Sequence, residues 1–349
     1  MNGAYEERNY NQFYQLDRLL IMVSVFISTP LNLSTMYLIL FKSPKRLQTY
    51  KYILLNIAIW VFAYEIVQNV IALPMPIIEI LGFYAEGLAK ALSPEGGFAC
   101  FVGIVFCIGQ YIVALLFAFF YRYRALKIDF GVCGVNPTKW HYRVVIAVLM
   151  VVPPGSMAAA ALCVYTPHDI FKVRVLNIHP ELSVLLDNLP LFGFDSTGFV
   201  VSCGIISAWL FLWTVCVTWC IRGIIMQFRE HRSAMSEFTY RMHLQLMRSL
   251  AVQTAAPVVL FVVPLSLVMV GVITGVGNID DIIVLTVLMM SLHSTINSLA
   301  VVLFIAPYRN AVVDIFRKVF KMSAVSSVQV VSVSIKSQSN CAQPQSHSH

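Results

Sequence analysis

The chain of 349 residues is 58% hydrophobic and only 12% charged, and its mean hydropathy is +0.77. Soluble domains average about 25% charged residues, so this composition excludes an ordinary soluble domain and predicts a protein that crosses the membrane several times. The net charge of +7 must then be divided between the two sides of that membrane.

Seven long apolar runs follow one another along the chain. A helix rises 1.5 Å per residue, so about 20 apolar residues cross the hydrocarbon core of a bilayer. The runs meet or approach this length, and the sequence therefore predicts an all-α membrane protein, a seven-transmembrane helix bundle. We expect the spans at about 19–41, 52–78, 98–121, 144–164, 199–221, 249–274 and 282–305.

The two ends of the chain differ from the spans. Residues 1–18 are polar, and the apolar run after them is longer than a signal-peptide core and lacks a small-residue cleavage site, which favours a retained anchor. After span seven, apolar residues recur at helical spacing between basic ones, which predicts a short amphipathic helix at 306–321 lying on the membrane. The Ser-rich tail at 322–349 is expected to be disordered.

Basic residues are divided unevenly between alternate loops. Of the 24 lysines and arginines, 19 fall at 42–51, 122–143, 222–248 and 306–349, and five fall in the N-terminus and the other loops. The positive-inside rule assigns the first set to the cytoplasm. We therefore expect an extracellular N-terminus and a cytoplasmic C-terminus. The positive charge then meets anionic lipid and cytosolic partners, and nothing supports binding of nucleic acid.

Polar residues inside the spans are candidates for a binding site. An ionised carboxylate at mid-bilayer is costly, so Glu65 is expected to face the bundle interior and to be mostly neutral or partnered. Counted from the span ends, Glu65, Gln110 and His293 lie at similar depths, and Asn297 follows His293 by one helical turn. Such a polar layer can bind the polar group of a ligand, or it can be a hydrogen-bonded core. For His293 and Asn297 we favour helix packing.

Prolines and cysteines in the spans leave alternatives open. Pro257 and Pro264 interrupt the hydrogen bonding of span six and suit a hinge, although prolines are common in membrane helices. Cys100 could pair with Cys163 or Cys203 near the outer surface, but a buried, reduced state for these cysteines is the favoured interpretation. The cysteines show no metal-ligand pattern, and we expect no metal and no cofactor.

Other classes of membrane protein fit the sequence less well. A retinal protein needs a lysine in the last span, which has none, and neither H-E-x-x-H nor G-x-S-x-G occurs to suggest an enzyme or a catalytic residue. A transporter or channel would show repeats or several intramembrane charges, and only Glu65 qualifies. The sequence therefore predicts a receptor, with a ligand-gated channel or transporter of the seven-helix type as the alternative.

Three stretches carry a resemblance to a known family. They are LILFKSPKRLQTYKYILLN at Leu38 to Asn56, the Gln253, Pro257 and Pro264 pattern of span six, and His293-Ser294-Thr295 followed by Pro307-Tyr308-Arg309. In these stretches the chain resembles the nematode serpentine chemoreceptors, most closely class H (the srh type) of the Str superfamily. The resemblance covers nearly the whole length.

This resemblance implies a chemosensory G-protein-coupled receptor for a small environmental or pheromone-type ligand. It implies a heterotrimeric G protein at the cytoplasmic end of the bundle. The residues expected to contact this partner are the 222–248 loop and Arg122, Tyr123, Pro307, Tyr308 and Arg309. The resemblance also implies that the receptor lies in the plasma membrane, including the ciliary membrane of sensory neurons. Arg122 could instead extend to lipid phosphate. The family reads Phe-Glu-Asn-Arg-Tyr where this chain has Phe119 to Tyr123, FFYRY, so weaker, different or absent coupling stays open.

Overall fold

The computed structural model describes residues 2–44, 47–77, 80, 82–129, 140–178, 180, 191–230, 232, 236–274 and 279–318. The first half of the chain contains α1 (Asn2–Phe41), α2 (Gln48–Glu65, extended by a π-helical segment Ile66–Ala72), β1 (Pro74–Ile77), β2 (Gly82–Ala85), α3 (Pro94–Asp129) and α4 (Trp140–Leu162). A 3₁₀ turn at Leu88–Ala91 precedes α3.

The second half continues with β3 (Tyr165–Thr166), α5 (His168–Ile178), β4 (Phe192–Phe194) and α6 (Ser196–Glu230). Helix α7 is formed by Glu237–Pro257, a π-helical segment Val258–Val262, and Val263–Thr274. Helix α8 is formed by Ile279–Ser291 and His293–Phe304, separated by a turn at Leu292, and α9 covers 306–318.

The predicted helical membrane bundle is confirmed. Among the described residues, six helical stretches are long and apolar enough to cross a membrane, and a shorter apolar helix at Ala147–Leu162 matches span four. The six are Arg18–Phe41, Tyr50–Ala72, Pro94–Leu126, Gly204–Glu230, Thr239–Val268 and Ile282–Phe304. Helices α1 to α4 thus correspond to the first four spans, and α6, α7 and α8 to the last three.

Several helix boundaries differ from the expected spans. The second helical stretch ends at Ala72 and not at 78, because Pro74 and Pro76 cannot donate helical hydrogen bonds and Leu73 takes a left-handed conformation with φ of 41°. Other helices run past the apolar limits, since α6 continues to Glu230 and α7 begins at Glu237. The tail at 322–349 lies outside the described residues.

A small antiparallel sheet, which the sequence did not suggest, covers one end of the bundle. Its strand order is β1-β2-β4-β3, with Pro74 opposite Ala85 and Phe83 opposite Phe192. Phenylalanines from the sheet pack against the start of α3, with ring centroids 4.9 to 6.2 Å apart (Phe83, Phe98, Phe101, Phe192, Phe194). The described parts of two of the loops expected to be extracellular therefore form an apolar cap.

The interior of the bundle is divided along its length. The largest apolar cluster lies toward the end opposite the sheet and joins α1, α2, α3, α6, α7 and α8 to Tyr308. Helices α2 and α3 each contribute six buried side chains to this core. In contrast, only 11% of the most apolar part of α6 is buried, so α6 presents most of its surface to lipid. Cys100 and Cys163 are free, as expected, but Cys163 is exposed and Cys100 only partly buried, so the expectation that both are buried was wrong.

Candidate ligand-binding and coupling sites

Glu65 is completely buried and holds α1, α2 and α8 together through a hydrogen-bond network. Ser28 and Asn32 of α1 both donate to its carboxyl oxygens, Thr29 lies 3.4 Å away, and Asn32 in turn accepts a hydrogen bond from Ser298 of α8. A charged residue in a span is tolerated only when it is paired or hydrogen-bonded in this way. This arrangement gives Glu65 the interior position expected from the sequence.

The network also accommodates a neutral Glu65 carboxyl. The Ser28 hydroxyl oxygen lies 3.3 Å from the Val25 carbonyl as well as beside Glu65. Ser28 can therefore donate to Val25 and accept the carboxyl proton, while Asn32 still donates to the other oxygen. No cation is needed to satisfy the group, and among the described residues no cluster suited to a metal ion occurs.

His293 lies in an aromatic enclosure between α2, α3 and α7. Its ring centroid is 4.9 Å from that of Tyr111, 4.8 Å from that of Phe261 and 5.8 Å from that of Tyr64, and the residue is 1% exposed. Neither ring nitrogen has a hydrogen-bond partner among the described residues. One turn further along, both polar atoms of the buried Asn297 side chain are equally without a described partner.

Tyr111 links this enclosure to the bend in α7. Pro257 has no N–H, so the Gln253 carbonyl four residues before it has no helical donor. The Tyr111 hydroxyl donates to that carbonyl at 2.6 Å. The Gln253 side chain donates to Ser249, whose hydroxyl lies 3.3 Å from the Ala300 carbonyl of α8. The hinge predicted around Pro257 is therefore in direct contact with the enclosure.

Gln110 faces a different neighbour. It donates from Nε2 to the Met150 carbonyl of α4 at 3.1 Å. Met150 precedes Pro154 by four residues, so its carbonyl is also freed by a proline, and Gly109 allows the close approach because a Cβ there would lie 3.0 Å from Pro154 Cα. Gln110 thus joins α3 to α4 and does not belong to the hydrogen-bonded set around Glu65.

Sequence reasoning missed several residues of these sites. The partners of Glu65 on α1 were not singled out, although Ser24, Ser28 and Asn32 recur at intervals of four in an apolar span, which is the signal of a buried polar stripe. Tyr64, Tyr111 and Phe261 were also missed. Aromatic residues are too common in apolar helices for their positions to indicate an enclosure without the helix rotations.

At the opposite end of the bundle, Arg122 is buried against the ring of Tyr50. Its guanidinium lies 3.5 Å from the ring centroid of Tyr50, and only 4% of the residue is exposed. Its Nε and Nη2 atoms have no hydrogen-bond partner among the described residues. Contact with lipid phosphate, one of the two readings left open by the sequence, is not available to Arg122 in this conformation. Tyr123, the next residue, packs against Trp219 with ring centroids 5.0 Å apart.

The Pro307-Tyr308-Arg309 segment closes this end. Tyr308 is fully buried, and its hydroxyl lies 2.7 Å from that of Ser43 just after α1. Burial raises the pKa of Tyr308, so the hydroxyl stays protonated and can donate to Ser43. Arg309 donates to the Leu303 carbonyl at 3.2 Å, which Pro307 leaves without a helical donor.

A bundle of apolar helices with a polar interior and a basic, aromatic end is the architecture of a seven-transmembrane protein. The family model described as "Serpentine type 7TM GPCR chemoreceptor Sri" matches residues 18–312, and the chain belongs to this family of serpentine chemoreceptors. No curated protein matches the chain.

The match confirms a serpentine chemoreceptor but does not support class H specifically. Class H was inferred from short motifs around Leu38 to Asn56 and at Pro307, whereas the matched family extends over 18–312. The family is one of receptors, which agrees with the absence of the two enzyme motifs sought in the sequence.

Proposed function

We propose that the chain is a chemosensory receptor that detects a small environmental or pheromone-type ligand in the bundle interior and signals to a cytosolic heterotrimeric G protein. The observation that carries this proposal is the set of four polar atoms of His293 and Asn297 that lack described partners in a fully buried position. Buried polar groups are nearly always hydrogen-bonded, and each exception requires an explanation. A ligand that supplies the missing bonds is such an explanation.

The surroundings of His293 limit the chemistry of the ligand. Tyr64, Tyr111 and Phe261 provide apolar ring edges and faces, and the neutral imidazole and amide offer both donors and acceptors. A small, mainly apolar molecule with one polar group fits this combination. A strongly anionic or cationic ligand has no described counter-charge here other than Glu65, whose oxygens are already bonded.

The route from this site to the G protein passes through α7. Tyr111 contacts both His293 and the Gln253 carbonyl, so a ligand that shifts Tyr111 also changes the bend at Pro257, with Pro264 as a second weak point. Movement of α7 and of the Tyr308 segment would uncover Arg122 for a cytosolic partner. The altered FFYRY sequence around Arg122 leaves the type of G protein open.

A functional screen tests the proposal. Cells that express the chain are exposed to a panel of odorants and pheromone-like metabolites, and calcium or cAMP is recorded. We expect a response that is lost in His293→Phe, which keeps the ring contacts and removes both nitrogens, and kept in Gln110→Met at the α3–α4 contact. A ligand-evoked current in the absence of any G protein would instead support the channel or transporter alternative.

The proposed location is the plasma membrane, including the ciliary membrane of sensory neurons, with the N-terminus outside. This orientation rests on the distribution of basic residues. An epitope tag placed before Tyr5 should be accessible to antibody on intact cells. Accessibility only after permeabilisation would show the opposite orientation.

A further inference from the structure

A groove of about 500 Å³ opens on the lipid-facing surface between α3 and α6, at the end of the bundle near Arg122. Its volume is in the range of small-molecule sites. Gly223 allows the two helices to approach, because a Cβ there would lie 2.4 Å from Tyr123 Cε2. The groove is lined by Tyr123, Thr214, Val215, Thr218, Trp219, Arg222, Gly223 and Met226.

Most of the groove wall is apolar and exposed. Trp219 is 57% exposed, Val215 is 49% exposed and Met226 is 66% exposed, and all three lie on the poorly buried helix α6. Inside a bilayer, hydrocarbon chains cover such an apolar surface readily, whereas a polar group placed against it would lose its hydration. The groove is therefore suited to a lipid chain and unsuited to a polar soluble ligand.

Arg222 adds a positive charge at one end of this apolar groove. It is exposed and makes no ion pair with any described residue. It lies one turn beyond Trp219, a residue type enriched at membrane interfaces. Arginine near a membrane surface extends its guanidinium to the headgroup level, where phosphate can accept bidentate hydrogen bonds.

The position of Arg222 along α6 agrees with a location at the level of the lipid headgroups. Gly204–Glu230 is 27 residues long, and Arg222 follows Gly204 by 18 residues, or roughly 27 Å at the helical rise. This distance is close to the roughly 30 Å hydrocarbon thickness of a bilayer. If Gly204 lies at the outer boundary of the hydrocarbon core, Arg222 lies at the inner boundary. The distribution of basic residues assigns this inner boundary to the cytoplasmic leaflet, which is rich in anionic lipid.

We propose that this groove binds one anionic phospholipid of the cytoplasmic leaflet, with an acyl chain along Val215 and Trp219 and the phosphate at Arg222. Charge complementarity selects this occupant over a neutral lipid. The groove wall includes Tyr123, which is adjacent in sequence to Arg122 at the proposed coupling site. Bound lipid would thus contact the same turn of α3 that faces the G protein.

Lipid retention by the purified full-length receptor tests the site. The chain is extracted from membranes containing phosphatidylserine and phosphatidylcholine, and retained lipid is identified by native mass spectrometry. We expect preferential retention of phosphatidylserine, and a loss of affinity for it of about fivefold in Arg222→Gln, with phosphatidylcholine unchanged. Thr218→Trp, which fills the groove and keeps the charge, should remove the site for both lipids.

The matched control is Arg248→Gln, which makes the same change in charge at an exposed position on α7, outside the groove. It should leave phosphatidylserine retention unchanged. The proposal is overturned if Arg222→Gln retains as much phosphatidylserine as the unmodified chain, if Arg248→Gln loses it to the same extent, or if both lipids are retained equally by the unmodified chain.

Discussion

Helix α8 carries two neighbouring polar stripes, one formed by Ser294 and Ser298 and the other by His293 and Asn297. The two stripes differ in how their side chains are hydrogen-bonded. Ser298 donates to Asn32, which donates to Glu65, whereas the Ser294 hydroxyl one turn earlier has no hydrogen-bond partner among the described residues. His293 and Asn297 lie one residue earlier on the same two turns and are equally buried, but their polar atoms have no described partner. Ser298 and Asn297 are thus adjacent and both fully buried, but only Ser298 is hydrogen-bonded to a described residue.

This difference separates a structural polar site from one that is ready to bind. A satisfied network fixes the relative positions of its helices, because removal of one partner leaves the others buried and unbonded. An unsatisfied group costs free energy in the empty receptor, and a ligand that bonds it recovers that cost. We therefore expect mutations in the Glu65 network to lower stability. Mutations at His293 and Asn297 should instead lower the ligand response and leave stability largely unchanged.

The largest effect is expected at Glu65. Glu65→Leu leaves Ser28 and Asn32 without their acceptor in a buried position, at a cost of about 3 kcal/mol in the free energy of unfolding. Glu65→Gln should be tolerated, because its amide can donate to Ser28 and its oxygen can accept from Asn32, as in the neutral carboxyl. Surface expression and the melting temperature of the solubilised receptor measure both variants. Equal behaviour of Leu and Gln would show that the network contributes nothing.

The next prediction compares one substitution at two positions. Asn32→Leu removes the group that bonds both Glu65 and Ser298 and should destabilise the receptor by about 2 kcal/mol. Asn297→Leu removes an amide without a described partner and should leave stability unchanged or raise it, while the ligand response falls. Thermal unfolding and dose–response curves of the two variants provide the test. A destabilised Asn297→Leu would assign Asn297 to helix packing, as the sequence had favoured.

Much of this fold follows from the sequence, and the distinction between the stripes does not. Runs of about 20 apolar residues indicate membrane helices because a helix satisfies its backbone hydrogen bonds within the segment itself. Such helices are apolar nearly all round, however, so the sequence does not give their rotation. Ser298 and Asn297 are adjacent in sequence, yet Ser298 bonds Asn32 of α1 while Asn297 has no described partner. Gln110 was expected at the depth of Glu65 but bonds Met150 of α4.

The capping sheet could not be predicted for a different reason. Its strands are two to four residues long, and β1 lies in the apolar run that continues span two, where Pro74 and Pro76 were the only local signal. Pairing of β2 with β4 joins segments far apart in sequence. Gly193 of β4 is required there, because a Cβ would lie 1.8 Å from Phe171, a contact that only the folded structure reveals.

A smaller effect is expected at Tyr111, which connects the unsatisfied stripe to the bend in α7. Tyr111→Phe keeps the ring beside His293 and leaves the Gln253 carbonyl without a donor, at a cost of about 1 kcal/mol. Because the lost bond stabilises the bend, we expect a shift in ligand potency or in basal activity beyond the small loss of stability. Tyr52→Phe, at an exposed position on α2 outside the enclosure, is the control. Identical signalling by both variants would remove Tyr111 from the route.

The smallest effect on stability is expected at α9, which would carry a movement of α8 to the cytosol. Phe316 is 59% exposed and lines an apolar groove with Tyr37 of α1 and Val302 of α8, whereas Val313 is 41% exposed and lies outside that groove. Phe316→Ser should weaken the contact of α9 with the bundle and the membrane and lower the maximal response, with ligand affinity kept. Because Phe316 is mostly exposed, we expect a loss of less than about 1 kcal/mol in the free energy of unfolding.

Val313→Ser is the matched control for this position, since it makes α9 more polar without altering the groove. Responses are normalised to the amount of receptor at the cell surface, because a helix that only aids folding would lower expression and leave the normalised response unchanged. Phe320, expected from its spacing to extend the same apolar surface, lies outside the described residues and can be tested as Phe316→Ser with Phe320→Ser. A double variant that reaches the surface and signals fully would exclude α9 from signalling and confine the consequences of the His293 stripe to α7.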